Sequence, residues 1–166
     1  MYKIYLVGSV KIWREQFLPK YSKFFSGGTV LFEPGRMNIP SDHTRIAPSV
    51  AFIDSSEIRK ADAVLVFMKE YKPDHNAGPA GTDSAWECGF AHGLCKPIIA
   101  IIEDEEQLHY FEQQWMLTFH VDVFVVFNKK LADTISKSRL KDISLIQCDA
   151  INDIETKIIK FLDSIV

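Results

Sequence analysis

Cysteine is scarce in this sequence and shows no pairing pattern. Cys88, Cys95 and Cys148 make an odd number without framework spacing. No disulfide scaffold is expected, and reduced thiols in a cytoplasmic protein are the simplest reading. An excess of one charge is also lacking: the net charge of −3 offers no attraction for a nucleic-acid backbone or an anionic membrane. No apolar run approaches the length of a membrane span. The opening Met-Tyr-Lys-Ile-Tyr-Leu-Val-Gly is too short in its apolar part to read as a signal peptide. Repeats and low-complexity tracts are absent. What is present is an ordinary globular balance, 47% hydrophobic and 25% charged over 166 residues. That is enough for a core without staples, and it predicts one domain over residues 1–166.

Apolar runs alternate with helix-like segments along the chain. Tyr2 to Val7 is a β-rich run that stops at Gly8-Ser9. Trp13 to Phe25 has helical apolar spacing, with Pro19 at a kink or a boundary. Thr29 to Phe32 reads as a strand. Residues 33–48 read as a long loop holding Arg36, Asp42, His43 and Arg45. Ser49 to Lys60 reads as a helix with Phe52, Ile53 and Ile58 inward, and Ala63 to Met68 as a continuous apolar strand. A second loop, Lys69 to Gly81, carries Asp74, His75 and Asn76. Long connections in a compact domain are usually functional or mobile.

Further on, Glu103 to Trp115 reads as a helix and Val121 to Phe127 as a strand. Asn128 to Arg139 is a helix or loop, and Ile143 to Gln147 a short edge strand. Ala150 to Ile165 is an amphipathic helix. Buried strands alternating with helices imply an α/β fold: one doubly wound parallel sheet of about five strands, with helices on both faces. Ligands bind such sheets at the carboxyl ends of the strands, near the switch in strand order. Three loops start there: Gly8-Ser9-Val10-Lys11, residues 33–48 and residues 69–84.

The stretch around which the rest is arranged is 78–102. A Gly/Pro-rich loop leads to Thr82, Asp83 and Ser84, any of which can start a helix carrying Trp86 and Glu87. Gly93 and Lys96-Pro97 end that helix, and Ile98 to Ile102 follows as a buried strand. Cys88 and His92 lie four apart on one helix face. With no second pair at ligand spacing, no zinc site and no other cofactor is expected.

These residues resemble the nucleoside 2-deoxyribosyltransferase family, including its relatives that hydrolyse nucleoside monophosphates. The resemblance rests on the first strand ending in Gly8-Ser9, and on Asp54 eight residues before the Asp62 that opens a strand. Its most specific parts are Ala85-Trp86-Glu87-Cys88-Gly89-Phe90-Ala91 and Lys96-Pro97-Ile98-Ile99. It spans residues 2–102, and Trp115 and Asp122 extend it. It implies a flavodoxin-like sheet and a nucleophilic Glu87 that forms a glycosyl ester. Asp54 would orient the sugar or Glu87. A further acid, Asp83 among the candidates, would protonate the leaving base. Gly8, Ser9, Lys11, Gly81, Thr82, Ser84 and Trp86 are the expected substrate contacts, with Ser9, Lys11 and Ser84 favouring a phosphate. The family's transferases carry an Asp six residues before the nucleophile, where this chain has Gly81. A homo-oligomer is implied as well.

The chemistry agrees with that resemblance. Breaking an N-glycosidic bond develops positive charge on the sugar, which a nearby carboxylate stabilises or captures. A place early in a helix favours the charged carboxylate, and Trp86 or Phe52 can wall a base. Five readings result. The first is transfer of a deoxyribosyl group from a nucleoside to a free base, and the second hydrolysis of a nucleoside monophosphate. An NAD-type glycohydrolase and a non-catalytic nucleotide sensor are the third and fourth. A phosphoacceptor receiver is disfavoured, because the first strand ends in Gly8-Ser9 instead of an acidic pair.

Overall fold

The structure is a computed structural model describing residues 1–8, 12–32, 46–69 and 82–165, without the side chains of residues 46–50 and 82. Its strands are β1 (Tyr2–Val7), β2 (Thr29–Phe32), β3 (Ala63–Val66), β4 (Ile98–Ile102), β5 (Val123–Val126) and β6 (Ser144–Gln147). They form one six-stranded sheet in the order β2-β1-β3-β4-β5-β6, and every pairing is parallel. This agrees with the expected sheet of about five strands, with the short edge strand read at Ile143 to Gln147 present as the exposed β6.

The order in which strands are added reverses at β1, whose two neighbours are β2 and β3. Tyr5 pairs with Phe32 on one side and Val64 on the other. Right-handed crossovers then put the β1–β2 connection on one face and the connections that follow β2 on the other. On one face lie α2 (Ile46–Lys60), α3 (Thr82–Gly93), α4 (Glu105–Gln113), α5 (Trp115–Thr118) and α6 (Lys129–Ile135). They cover Tyr5, Val7, Val64, Val66, Ala100 and Phe124. On the other face, α1 (Leu18–Tyr21) with its flanking turns and α7 (Ile154–Ile165) cover Ile4, Leu6, Leu65, Ile99 and Val125. Alternate residues of each strand supply the two cores, as the period of two requires.

Two expected helices change shape. Trp13 to Phe25 divides into a π-helical turn (Trp13–Phe17), α1 and a 3-10 turn (Ser22–Phe24). Pro19 sits in the first turn of α1. There its missing N–H costs nothing, and the wider turn before it, closed by the Leu18 N–H on the Trp13 carbonyl, removes the carbonyl a proline ring would strike. Among the described side chains of α2 the buried ones are Asp54, Ile58 and, just beyond, Ala61. That i, i+4 stripe turns Phe52 outward, 75% exposed, against the inward position its type suggested.

The face around α1 is aromatic. Phe17 meets Trp13 edge-on at 4.3 Å, stacks on Tyr21 at 4.8 Å and touches Phe67 at 5.3 Å. Each such pair adds about 0.5–1.5 kcal/mol beyond the area it buries.

The feet of the strands are tied by carboxylates. Asp62 accepts the Lys3 N–H at 2.7 Å and Asp122 the Ile98 N–H at 2.8 Å. Both therefore sit at the amino ends of the strands, opposite the edge where the loops begin. Among the described residues, no helix is long and apolar enough to cross a membrane.

Candidate functional site

The carboxyl edge of β1 is the meeting point. Helices α2 and α3 both pack on β1 and on each other, which brings Asp54 from one and Glu87 from the other over the same strand. Asp54 and Glu87 are each only 1% exposed, and Ser84 is 6% exposed. Burying two carboxylates is costly unless polar groups receive them. Tyr5 is such a group. Its phenol donates to Glu87 Oε1 at 2.9 Å, and its hydroxyl also bonds the Asp54 side chain. Burial pushes the phenol pKa far above its ordinary range, and the charges of Glu87 and Asp54 raise it further. Tyr5 therefore stays a donor at every physiological pH.

Glu87 is the sixth residue of α3, in the second helical turn. The helix dipole, which fades within the first turn, contributes less to it than an early position would suggest. Its neighbour Cys88 is fully buried. Burial, and then the charge of Glu87, push that thiol's pKa well up. Cys88 is thus a packed protonated thiol rather than a nucleophile.

The other expected contacts sort by position. Gly8 ends β1 with φ +141°, and a Cβ there would sit 2.6 Å from the Phe67 carbonyl oxygen. Only glycine closes the strand so tightly against β3. Asp83 is exposed in the first turn of α3. Trp86 is 45% exposed and stacks on Phe90 with centroids 5.6 Å apart and planes 13° from parallel. The Arg59 guanidinium lies 5.0 Å from the same Phe90 ring. Thr82 begins the helix. Ser9, Lys11 and Gly81 lie outside the described residues, as do Arg36, Asp42, His43, Arg45, Asp74, His75 and Asn76.

Tyr5 is the residue that sequence reasoning missed. Its signal was a hydroxyl within the otherwise aliphatic Ile4 to Val7 part of the strand, on the same face as Val7. A second polar knot at the same edge was missed too. Glu103, just past β4, accepts from Lys20 at 2.5 Å and from Tyr21, and pairs with Lys69 at 2.8 Å. Gln107, 1% exposed, accepts the Glu103 N–H through its side-chain oxygen at 2.7 Å and donates to the Met68 carbonyl at 2.7 Å. This fastens the carboxyl ends of β3 and β4 to each other. Among the described residues, no three His, Cys, Asp or Glu side chains are grouped to hold a metal ion.

No protein-family profile matches the chain, and no curated protein matches it. Among solved structures it is similar to a 2-deoxyribosyltransferase of the psychrotolerant bacterium Bacillus psychrosaccharolyticus, characterised for the synthesis of antiviral and antitumoral nucleosides. The identity is 18% over 86% of this chain and 96% of that one, with a TM-score of 0.49. At that identity and score, the likeness by itself assigns neither a substrate nor a role to any residue.

Proposed function

We propose that this protein breaks the N-glycosidic bond of a (deoxy)nucleoside with Glu87 as nucleophile, and passes the deoxyribosyl group to another base. The observation that supports this most is the buried triad itself. Two carboxylates from different helices share one phenol at the carboxyl edge of the strand where the sheet reverses.

In the proposed reaction a Glu87 oxygen bonds to the anomeric carbon as the carbon–nitrogen bond breaks. The bonding pair leaves with the base, which takes a proton from an acid, for which Asp83 is the candidate. An acceptor base then attacks the same carbon and gives up a proton, and the ester bond breaks to restore the carboxylate. Tyr5 fixes the carboxylate that attacks, leaving its other oxygen as the nucleophile. Asp54 orients the sugar. Gly8, Ser9, Lys11, Gly81, Thr82, Ser84 and Trp86 complete the substrate contacts, with the Trp86–Phe90 stack as a platform for a base.

The same reading takes residues 1–166 as one cytoplasmic domain working without a cofactor and assembling as a homo-oligomer. Trp115, Met116 and Phe119, at 73%, 59% and 76% exposed, offer an apolar face beside α3 for a second copy.

The test is to incubate the protein with deoxynucleosides and their 5′-monophosphates, with and without a free acceptor base, and to follow bases by chromatography. Exchange that requires the acceptor is expected, and Glu87→Ala is expected to lose about a thousandfold or more in rate. Release from monophosphates alone, with water as acceptor, would replace transfer by hydrolysis. An unchanged rate in Glu87→Ala removes Glu87 from the chemistry. Binding without turnover of any substrate would favour a sensor.

A further inference from the structure

Trp13 holds a polar group that nothing in the proposed chemistry uses. The side chain is 1% exposed, packed between Phe17 and Phe67. Its indole nitrogen is buried and has no hydrogen-bond partner among the described residues. A buried N–H without an acceptor is rare in folded proteins, because desolvation is then uncompensated. The nitrogen is not lost in the middle of the core. It lies beside Gly8, close enough that a Cβ on Gly8 would sit 2.9 Å from it. Gly8 is where β1 reaches the carboxyl edge of the sheet, three residues beyond Tyr5, or about 10 Å along the strand. Trp13 also opens the π-helical turn, a wide turn that recurs at functional sites.

We propose that the Trp13 indole N–H is a ligand donor, and that it receives an oxygen on the sugar end of the substrate, either the 5′-hydroxyl or an oxygen of a phosphate attached to it. The assignment rests on the glycosidic reading above, which puts the anomeric carbon at Glu87. Tyr5 and Glu87 belong to the α2–α3 face of the sheet, whereas Trp13 belongs to the opposite face, so a ligand touching both must lie across the end of β1. The exposed Trp86–Phe90 stack stands on the α3 side and suits the flat base. The sugar's far end is then the part that reaches Gly8. With no Cβ on Gly8, the indole N–H packs directly against the strand end that the sugar approaches, and the neutral donor suits a hydroxyl as well as a phosphate.

Two base-free probes test this without turnover: 2-deoxyribose and 2-deoxyribose 5-phosphate, titrated calorimetrically into wild type and Trp13→Phe. The substitution keeps a ring and removes the donor. Binding of at least one probe by wild type is expected, weakened about tenfold in Trp13→Phe. Weakening for both sugars assigns the acceptor to the sugar, and weakening for the phosphorylated one alone assigns it to the phosphate. Equal affinities in the two proteins, or binding of neither sugar by wild type, overturn the proposal.

A second readout covers a variant that fails to fold. Of the chain's three tryptophans, Trp13 is the buried one, while Trp86 and Trp115 are exposed, so its indole proton resonance is identified by slow solvent exchange. That resonance is expected to move downfield on saturation with the sugar that binds, and a stationary resonance overturns the assignment. Neither probe carries a base. A failed role for Glu87 would show only in the base-release assay, and a failed role for Trp13 only here.

Discussion

Tyr5 is the residue on which the candidate site turns, because its hydroxyl reaches both carboxylates. Replacing it with Phe keeps the ring in the core and removes one donor. Tyr5→Phe is therefore expected to fold and to lower kcat by about 10- to 100-fold, with KM less affected, since a preorganised donor acts mainly on the reacting state. Steady-state kinetics beside a thermal melt check this; a rate equal to wild type would make the contact structural only. Phe52 shows the opposite lesson. A bulky aromatic in a helix is usually placed inward, yet the buried stripe of α2 runs through the carboxylate Asp54 and through Ile58. A stripe defined by apolar type alone misses a face organised around a carboxylate.

At the scale of elements, charged side chains finish what the strands begin. Glu155, in the first turn of α7, accepts the N–H groups of Gly27, Gly28 and Thr29 and the Thr29 hydroxyl, the last at 2.6 Å. One carboxylate therefore fixes the turn into β2 and pins α7 to the sheet. Glu155→Ala is expected to destabilise the fold by about 1–3 kcal/mol, the range for hydrogen bonds to a charged acceptor. Denaturant unfolding measures this, and a midpoint within error of wild type would show those N–H groups to be equally well served by water. The boundaries of elements were the part least legible in the sequence. Strands read as Ala63 to Met68 and Val121 to Phe127 pair only over Ala63–Val66 and Val123–Val126. Apolar character continues past the paired register, because Phe67 and Met68 are buried as core side chains beyond it, the Phe67 N–H still reaching the Val7 carbonyl at 3.2 Å.

For the whole molecule, pH reports on how the carboxyl edge is held. Burial alone would raise the Glu103 pKa. The hydrogen bonds from Lys20, Lys69 and Tyr21 outweigh it and hold the carboxyl below its ordinary value. Glu155 is shifted the same way: burial raises it, and the bonds from Thr29, Gly28 and Gly27 more than offset this. A carboxyl whose pKa is lower folded than unfolded contributes stability that is complete above the unfolded value, about 4.3 for Glu. That stability is lost as pH falls through the folded value. The melting temperature is thus expected to drop as pH is lowered from about 5 toward 3, and to drop less steeply in Glu103→Gln. Identical acid limbs in the two proteins would remove Glu103 from the effect.

The order of elements, the parallel sheet, and the two helices bearing Asp54 and Glu87 follow from sequence, because hydrophobic period and turn residues are local signals. The buried pair of runs Ala63–Val66 and Ile98–Ile102 could belong only to strands covered on both faces. Which side chains meet was left to tertiary structure. Tyr5 and Glu87 are 82 positions apart, and only the crossovers that set α2 and α3 on one face of β1 bring a strand phenol under two helix carboxylates. On the opposite face the Trp13 indole packs against Gly8, five positions away. No spacing along the chain encodes the Tyr5–Glu87 contact, since it depends on how closely separate elements approach in space.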